Sequence, residues 1–160
     1  MTAIYNALEP MKTLANPRDK KEILERLAKV RETSERRWGS MTASQMVCHL
    51  SDSFRVSLGE KTTSSTVTFT KRTIVKFIAL RLPLQWPHGV KTRPEVDQQI
   101  GGTRPTDFAP DVATLRALME RFCSAEGEFA PHAMFGQLSR AERKRHAYLH
   151  MDHHLRQFGV

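Results

Sequence analysis

The sequence has few cysteines, few glycines and prolines, and no long apolar run. Its two cysteines, Cys48 and Cys123, are too few for a disulfide framework, so we expect free thiols and a cytoplasmic location. Eight glycines and eight prolines among 160 residues exclude a fibrous or low-complexity chain. No apolar stretch approaches the roughly 18 residues of a membrane span. Residues 1–12 also lack the basic and apolar regions of a signal peptide.

The chain has an ordinary globular composition with an excess of positive charge. Hydrophobic residues make up 39% and charged residues 26% of it, which excludes disorder as the main state. The length predicts a single domain over residues 1–160. Twenty-five Lys and Arg against seventeen Asp and Glu leave a net charge of +8. That excess keeps a small protein in solution, and it also attracts anionic small molecules or polyanions.

Apolar residues recur at helical spacing in five segments, and no run alternates cleanly enough to predict a sheet. Two of the segments open with capping boxes, Thr42 with Gln45 and Ser139 with Glu142. The first segment starts with proline at its first helical position, where no backbone donor is needed. The predicted helices cover residues 17–30, 42–58, 71–82, 110–125 and 140–158.

These segments predict an all-α fold, a four-helix bundle with one additional short helix at residues 71–82. In that helix Ile74, Val75, Ile78 and Leu82 form the predicted apolar stripe. An irregular, proline-rich connection is expected over residues 83–107.

Three of the seven histidines, His146, His150 and His154, recur four residues apart on the last predicted helix, with His153 beside them. At about 100° per residue, His150 and His154 lie about 40° apart on the inward, apolar face of this helix. His146 and His153 lie farther round, which predicts positions at the rim. Two imidazoles on one face can converge on one ion, but such a pair is not specific, so a third ligand must come from elsewhere.

The candidate for the third ligand is His49, on the second predicted helix. Asp52, three residues later, is predicted to accept the free ring N–H of His49 and so to fix its tautomer. His88 and His132 stand in loops beside prolines and are interpreted as structural or solvent-exposed.

Two segments of the chain resemble the motifs of one superfamily. Residues 38–50, WGSMTASQMVCHL, resemble the W-x-x-x-T-x-x-Q-x-x-x-H-L signature of the DinB-like/YfiT-like superfamily of metal-dependent enzymes. Residues 150–158, HMDHHLRQF, resemble its H-x-x-x-H-x-x-Q ending. Residues 132–139, HAMFGQLS, are similar to the H-P-x-F-G-x-L-S segment of one uncharacterised bacterial subfamily, with Ala133 in place of the proline.

The resemblance implies a DinB-like four-helix bundle in which His49, His150 and His154 hold a divalent metal ion. Members with known roles include thiol transferases and thiol-dependent isomerases. Three protein nitrogens leave a coordination position open, as in catalytic sites. Imidazole suits Zn, Ni, Fe and Cu, of which we prefer Zn or Ni. The predicted function is therefore a metal-dependent hydrolase or thiol-dependent transferase, and its substrate is a small molecule, anionic or a low-molecular-weight thiol.

Three other readings of the sequence remain open. Cys48 beside His49 suggests a cysteine nucleophile, although adjacent helical residues point about 100° apart. Residues 71–93 carry several Lys and Arg and suggest a non-catalytic basic module for nucleic acid or an acidic surface, but no recognised nucleic-acid motif is present. The metal could also serve only as a stabilising clip. A homodimer is compatible with the sequence, which does not choose an oligomeric state.

Overall fold

Helices form where the apolar periodicity predicts them. The computed structural model describes residues 11–64, 69–82 and 84–160. In this part of the chain there are five α-helices, one short 3-10 helix and no strand, which confirms the all-α prediction. None of these helices combines the length and apolarity needed to cross a bilayer. The helices are α1 (Pro17–Leu27), α2 (Ala43–Ser57), α3 (Phe69–Arg81), α4 (Phe108–Ser124) and α5 (Arg140–Gln157).

Both predicted capping boxes are present. At the start of α2, the Thr42 hydroxyl accepts from the Gln45 amide N–H at 3.2 Å and the Gln45 side chain accepts from the Thr42 N–H at 3.0 Å. Ser139 and Glu142 make the same pair of bonds before α5, at 3.2 and 2.9 Å. Because a cap fixes where its helix begins, it also fixes which side chains of that helix face inward.

Helices α1, α2, α4 and α5 share the main core. α2 lies along α4, and α5 packs against α1 and α2. The rings of Phe54 and Phe122 meet between α2 and α4 with centroids 5.2 Å apart. Burying an apolar side chain of this kind stabilises the fold by about 1.5–3 kcal/mol, so the bundle needs no covalent staple. Further fully buried core residues are Ile23, Leu27, Val47, Leu50, Leu115, Met119, Met151 and Leu155.

The additional helix α3 differs from its prediction. Its predicted apolar stripe is largely exposed: Ile74 keeps 64%, Val75 40% and Ile78 43% of its surface. The residue that packs is Leu80, which is 2% exposed and joins a small cluster outside the main core. α3 packs chiefly against α5, and its Val75 and Ile78 side chains line an open cavity instead of the main core. It is also not the shortest helix, with 13 residues against 11 in α1.

The connection after α3 is irregular where it is described, as predicted, and contains only the 3-10 turn Pro94–Val96. The connection turns back on itself at Gly102. A Cβ atom there would lie 2.7 Å from the backbone carbonyl carbon of Asp97, so the turn requires glycine. This turn brings the backbone of Val96 against α2. Two parts of these predictions lie outside the described residues. They are Pro83, the first residue of the predicted connection, and the side chains of Lys71 and Arg72 in the basic stretch at residues 71–93.

Candidate metal centre

His49 of α2 meets His150 and His154 of α5. The ring centroids are 5.0 Å apart for His49 and His150, 4.9 Å for His49 and His154, and 4.9 Å for His150 and His154. One nitrogen from each ring lies within 4.8 Å of the other two. The three histidines that the sequence selected therefore form one cluster that can hold a metal ion.

Each of the three rings has its Nδ1 atom engaged by the protein. The Nδ1 atom of His49 lies 2.9 Å from the Val96 carbonyl oxygen, and that of His154 lies 2.8 Å from Oε1 of Gln157. The Nδ1 atom of His150 lies 3.1 Å from the Ser53 hydroxyl. With Nδ1 occupied in this way, each ring has its Nε2 atom left for a ligand bond.

The acceptors set the tautomers of two of these rings. A carbonyl oxygen can only accept, so His49 carries its proton on Nδ1 and its lone pair on Nε2. The amide of Gln157 is oriented by its donation from Nε2 to the Trp38 carbonyl at 2.8 Å, which leaves Oε1 to accept from His154. The Ser53 hydroxyl can donate or accept, so His150 is the ring whose tautomer can change when an ion binds.

The nitrogen spacing suits a shared ion. The Nε2 atoms of His49 and His150 are 3.1 Å apart. Two nitrogens at a Zn–N distance of about 2.05 Å and near-tetrahedral angles lie about 3.3 Å from each other. Burial lowers the pKa of His49, and it holds the pKa values of His150 and His154 well below the ordinary range. The rings are therefore neutral at pH 7, the form in which imidazole binds a metal.

Asp52 does not have its predicted role. The Val96 carbonyl takes the position beside His49 that was assigned to this carboxylate. Asp52 is fully buried and points instead toward the connection before α4, where Thr103 donates through its backbone N–H at 2.8 Å and its hydroxyl at 2.6 Å. Lys61 donates to it at 2.9 Å. Burial alone would raise the pKa of Asp52, but these bonds lower it overall. The carboxylate of Asp52 therefore holds the segment that contains Val96 against α2. That segment donates hydrogen bonds to Asp52, whereas the His49 ring donates to Val96.

A cavity of about 830 Å³ opens beside the three histidines. Trp86 lies on its wall, donates from Nε1 to the Ala79 carbonyl of α3 at 3.1 Å, and has its ring centroid 6.2 Å from that of His150. His146, predicted at the rim, is buried in this wall, and His153 is half-buried there. A cavity of this size accommodates a small organic molecule next to the nitrogen cluster.

The Cys48 thiol faces away from the histidine cluster. Its Sγ atom lies 3.6 Å from a carboxylate oxygen of Asp111 at the start of α4. Burial raises the pKa of Cys48 to about 12, so the thiol is not ionised at neutral pH. A nucleophilic pair with His49 is therefore excluded, and Cys48 is a core residue. Both cysteines are free, as predicted.

One known protein family matches nearly the whole length of the chain. A family model described as "Protein of unknown function (DUF1569)" matches residues 13–159, a range that includes all three clustered histidines. The chain belongs to the DUF1569 family. No curated protein matches it significantly, and neither does any solved structure.

Several residues of the DUF1569 chain's site were not found from its sequence. His132, interpreted as structural or solvent-exposed, lines the cavity, with its ring centroid 4.4 Å from that of His146. Its Nδ1 atom accepts from the backbone N–H groups of Met134 and Phe135 at 3.1 and 3.2 Å. Val96 carried no sequence signal, since any residue supplies a carbonyl. The sequence did point to Gln157, which is the glutamine of the H-x-x-x-H-x-x-Q motif, but it predicted no contact for this side chain.

Proposed function

We propose that this DUF1569 chain is a metal-dependent enzyme for a small molecule, with a divalent ion held by His49, His150 and His154. One observation carries the proposal: three neutral imidazoles, each engaged at Nδ1, direct their remaining nitrogens to one point at the wall of a cavity. Partners of this kind, which orient the ligands, are usual in metal sites.

The cavity favours a catalytic over a purely structural ion. Structural zinc sites are closed by four protein ligands, whereas the described residues offer three here. A divalent ion with an open position polarises a carbonyl group, or lowers the pKa of a water or thiol that it binds. Either property suits the reactions that we propose, hydrolysis or thiol transfer on a small molecule. The resemblance of residues 38–50 and 150–158 to the DinB-like superfamily supports this assignment.

The chain's own residues would bind and enclose the substrate. The indole of Trp86 and the ring of Phe135 supply apolar surface along the cavity, and Val75 and Ile78 of α3 add to it. Such walls exclude bulk water from the reacting groups and strengthen electrostatic interactions at the ion. α3 thus contributes to the wall of the site rather than to the main core of the bundle.

The alternative of a basic module at residues 71–93 receives less support. Lys76 is paired with Glu142 of α5 at 3.1 Å, and Lys91 and Arg93 lie along the cavity. The charge of Lys76 is thus partly balanced within the protein, and Lys91 and Arg93 belong to the same cavity as the histidine cluster. Binding to DNA or RNA that weakens steeply with salt would favour this alternative.

Metal analysis of matched variants tests the proposal. Protein purified without chelator is expected to hold about one divalent ion per chain, and His49→Ala, His150→Ala and His154→Ala should each lower its affinity at least tenfold in equilibrium dialysis. His88→Ala is the control, because His88 is exposed and outside the cluster. Ester and amide substrates, and low-molecular-weight thiols with electrophilic acceptors, should then be screened with and without metal. Unchanged affinity in all three variants would contradict the proposal.

A further inference from the structure

One buried cation in the cavity wall has no counter-ion among the described residues. Arg143 of α5 is 1% exposed, and within the described part of the chain its side chain makes one hydrogen bond, a donation from Nη2 to the Ala130 carbonyl at 2.9 Å. Its Nε atom is buried and has no partner in the residues that the structure describes, although a guanidinium has five N–H donors. None of the described carboxylates forms an ion pair with it.

This guanidinium lies in line with the histidine cluster. Arg143 and His150 are seven residues apart on α5, so they share a face and lie about 10 Å apart along the helix axis. His146 stands between them, and all three line the same cavity. The cavity therefore extends from the nitrogen cluster to a buried positive charge.

The surroundings of Arg143 leave its charge unbalanced. Burial lowers the pKa of Arg143 to about 10, which still leaves the group protonated at pH 7. His132 adds a donor without adding charge: its Nδ1 atom accepts two backbone N–H groups, so its proton is on Nε2. Burial and the charge of Arg143 lower the pKa of His132 to about 3. Among the described residues that line the cavity, the only acidic side chain is Asp97, which accepts from the Gln99 N–H.

We propose that Arg143 binds the carboxylate of a small organic acid whose reactive group lies at the histidine cluster. Arg143 is the buried cation of this wall, whereas Lys91 and Arg93, which also line the cavity, keep contact with solvent. A buried guanidinium beside neutral donors matches a monoanion, and its parallel N–H bonds match the planar carboxylate. A phosphate dianion would bring a second charge that Arg143 alone does not balance at this buried position. The inference rests on the proposed function only in placing the reactive group at the metal, since the carboxylate site itself requires no ion.

Binding of hexanoate to the metal-free chain tests the carboxylate site directly. Calorimetric titration is expected to show hexanoate binding at least tenfold more tightly than hexanol or inorganic phosphate, with a shift of the Arg143 Nε–H signal in NMR spectra. Arg143→Met should weaken hexanoate binding at least tenfold. Arg140→Met is the matched control, because Arg140 is an exposed arginine of the same helix that bonds only backbone carbonyls.

Urea unfolding separates a ligand-binding role from a structural one. Without ligand, Arg143→Met removes an unpaired buried charge and keeps most of the side-chain volume, so its urea midpoint should equal or exceed the parent's. A purely structural arginine would instead lower the midpoint and leave hexanoate binding unchanged. If the Met variant does not fold, the carboxylate site is still tested by the parent protein. Its titrations with hexanoate, hexanol and phosphate and the shift of the Arg143 Nε–H signal do not need the variant.

The outcomes distinguish the two proposals. Hexanoate binding that depends on Arg143 in a chain that takes up no metal would support the carboxylate site and overturn the metal-dependent function. Metal binding without any preference for hexanoate, or equal binding of phosphate, would overturn the carboxylate site alone. In the metal-loaded chain, 6-mercaptohexanoate should bind at least tenfold more tightly than hexanoate, since its thiol reaches the cluster; equal affinity would overturn the link between the two ends of the cavity.

Discussion

Gln157 joins the histidine cluster to the backbone of Trp38, 119 residues away in sequence. Its amide donates to the Trp38 carbonyl at 2.8 Å, and the other end of the same amide accepts from His154 at 2.8 Å. One side chain therefore ties the last turn of α5 to the segment before α2. The two distant motifs, residues 38–50 and 150–158, meet through this contact as well as through the histidines.

Replacing Gln157 with Leu should lower the affinity for Zn²⁺ and for Ni²⁺ about 10–100-fold, the usual cost of removing a group that orients a ligand. The His154 ring would lose the acceptor that holds its proton on Nδ1. Competition with a chromophoric chelator measures the change. Gln137→Leu is the control, since Gln137 donates to the Phe129 carbonyl away from the cluster. Equal affinities in the two variants would refute the orienting role.

The metal-free chain should lose stability as the pH falls from about 6.5 toward 4. Burial lowers the pKa of His132 to about 3, so the unfolded chain binds a proton there before the folded chain does. Each such histidine contributes a slope of about 1.4 kcal/mol per pH unit in that window. Urea unfolding of the parent and of His132→Gln, whose amide oxygen can still accept a backbone N–H, should show a shallower slope in the variant. Identical slopes would argue against burial of a neutral ring.

Replacing Asp52 with Asn should destabilise the fold by about 1.5–3 kcal/mol, because a buried carboxylate that bonds charged and backbone donors is lost. The amide keeps one acceptor oxygen, so it cannot serve all the donors that the two carboxylate oxygens now share, and it removes the charge that pairs with Lys61. Urea unfolding at pH 7 measures the cost. Asp107→Asn removes the same charge from an exposed residue whose side chain makes no cap bond, and it should change stability little. Metal affinity should also fall in the Asp52 variant, as the Val96 carbonyl loses its support.

The Cys48 thiol should resist alkylation in the folded protein. With its pKa raised to about 12 and the residue buried, almost no thiolate is available at pH 8. Iodoacetamide labelling followed by peptide mass spectrometry should modify Cys48 in urea but not in buffer, and Cys48→Ala should keep the parent's metal content. Rapid labelling of the folded chain at this position would restore the nucleophile hypothesis.

The position of the helices and the pairing of His150 with His154 could be predicted because both depend on local rules. Capping boxes and the 3.6-residue period act over three or four residues. Once α5 begins at Arg140, the four-residue spacing of His150 and His154 places both rings on one face of the helix. His49 was selected on the second predicted helix, and the resemblance of residues 38–50 implied the same role for it. For α3 the same period identified a helix but not its burial, since periodicity does not show whether a second layer exists to cover an apolar stripe.

The contacts of the site depended on the tertiary structure. The acceptor of His49 turned out to be the Val96 carbonyl, 47 residues away, rather than the nearby Asp52. The guanidinium of Arg143 is enclosed in a cavity wall, although its sequence context is that of a charged, solvent-facing turn. Sequence by itself determined which residues could bind a metal and on which helices they lie. Only the packed chain decided what holds each ring and where charge is buried, because hydrogen bonding and desolvation depend on which distant segments come together.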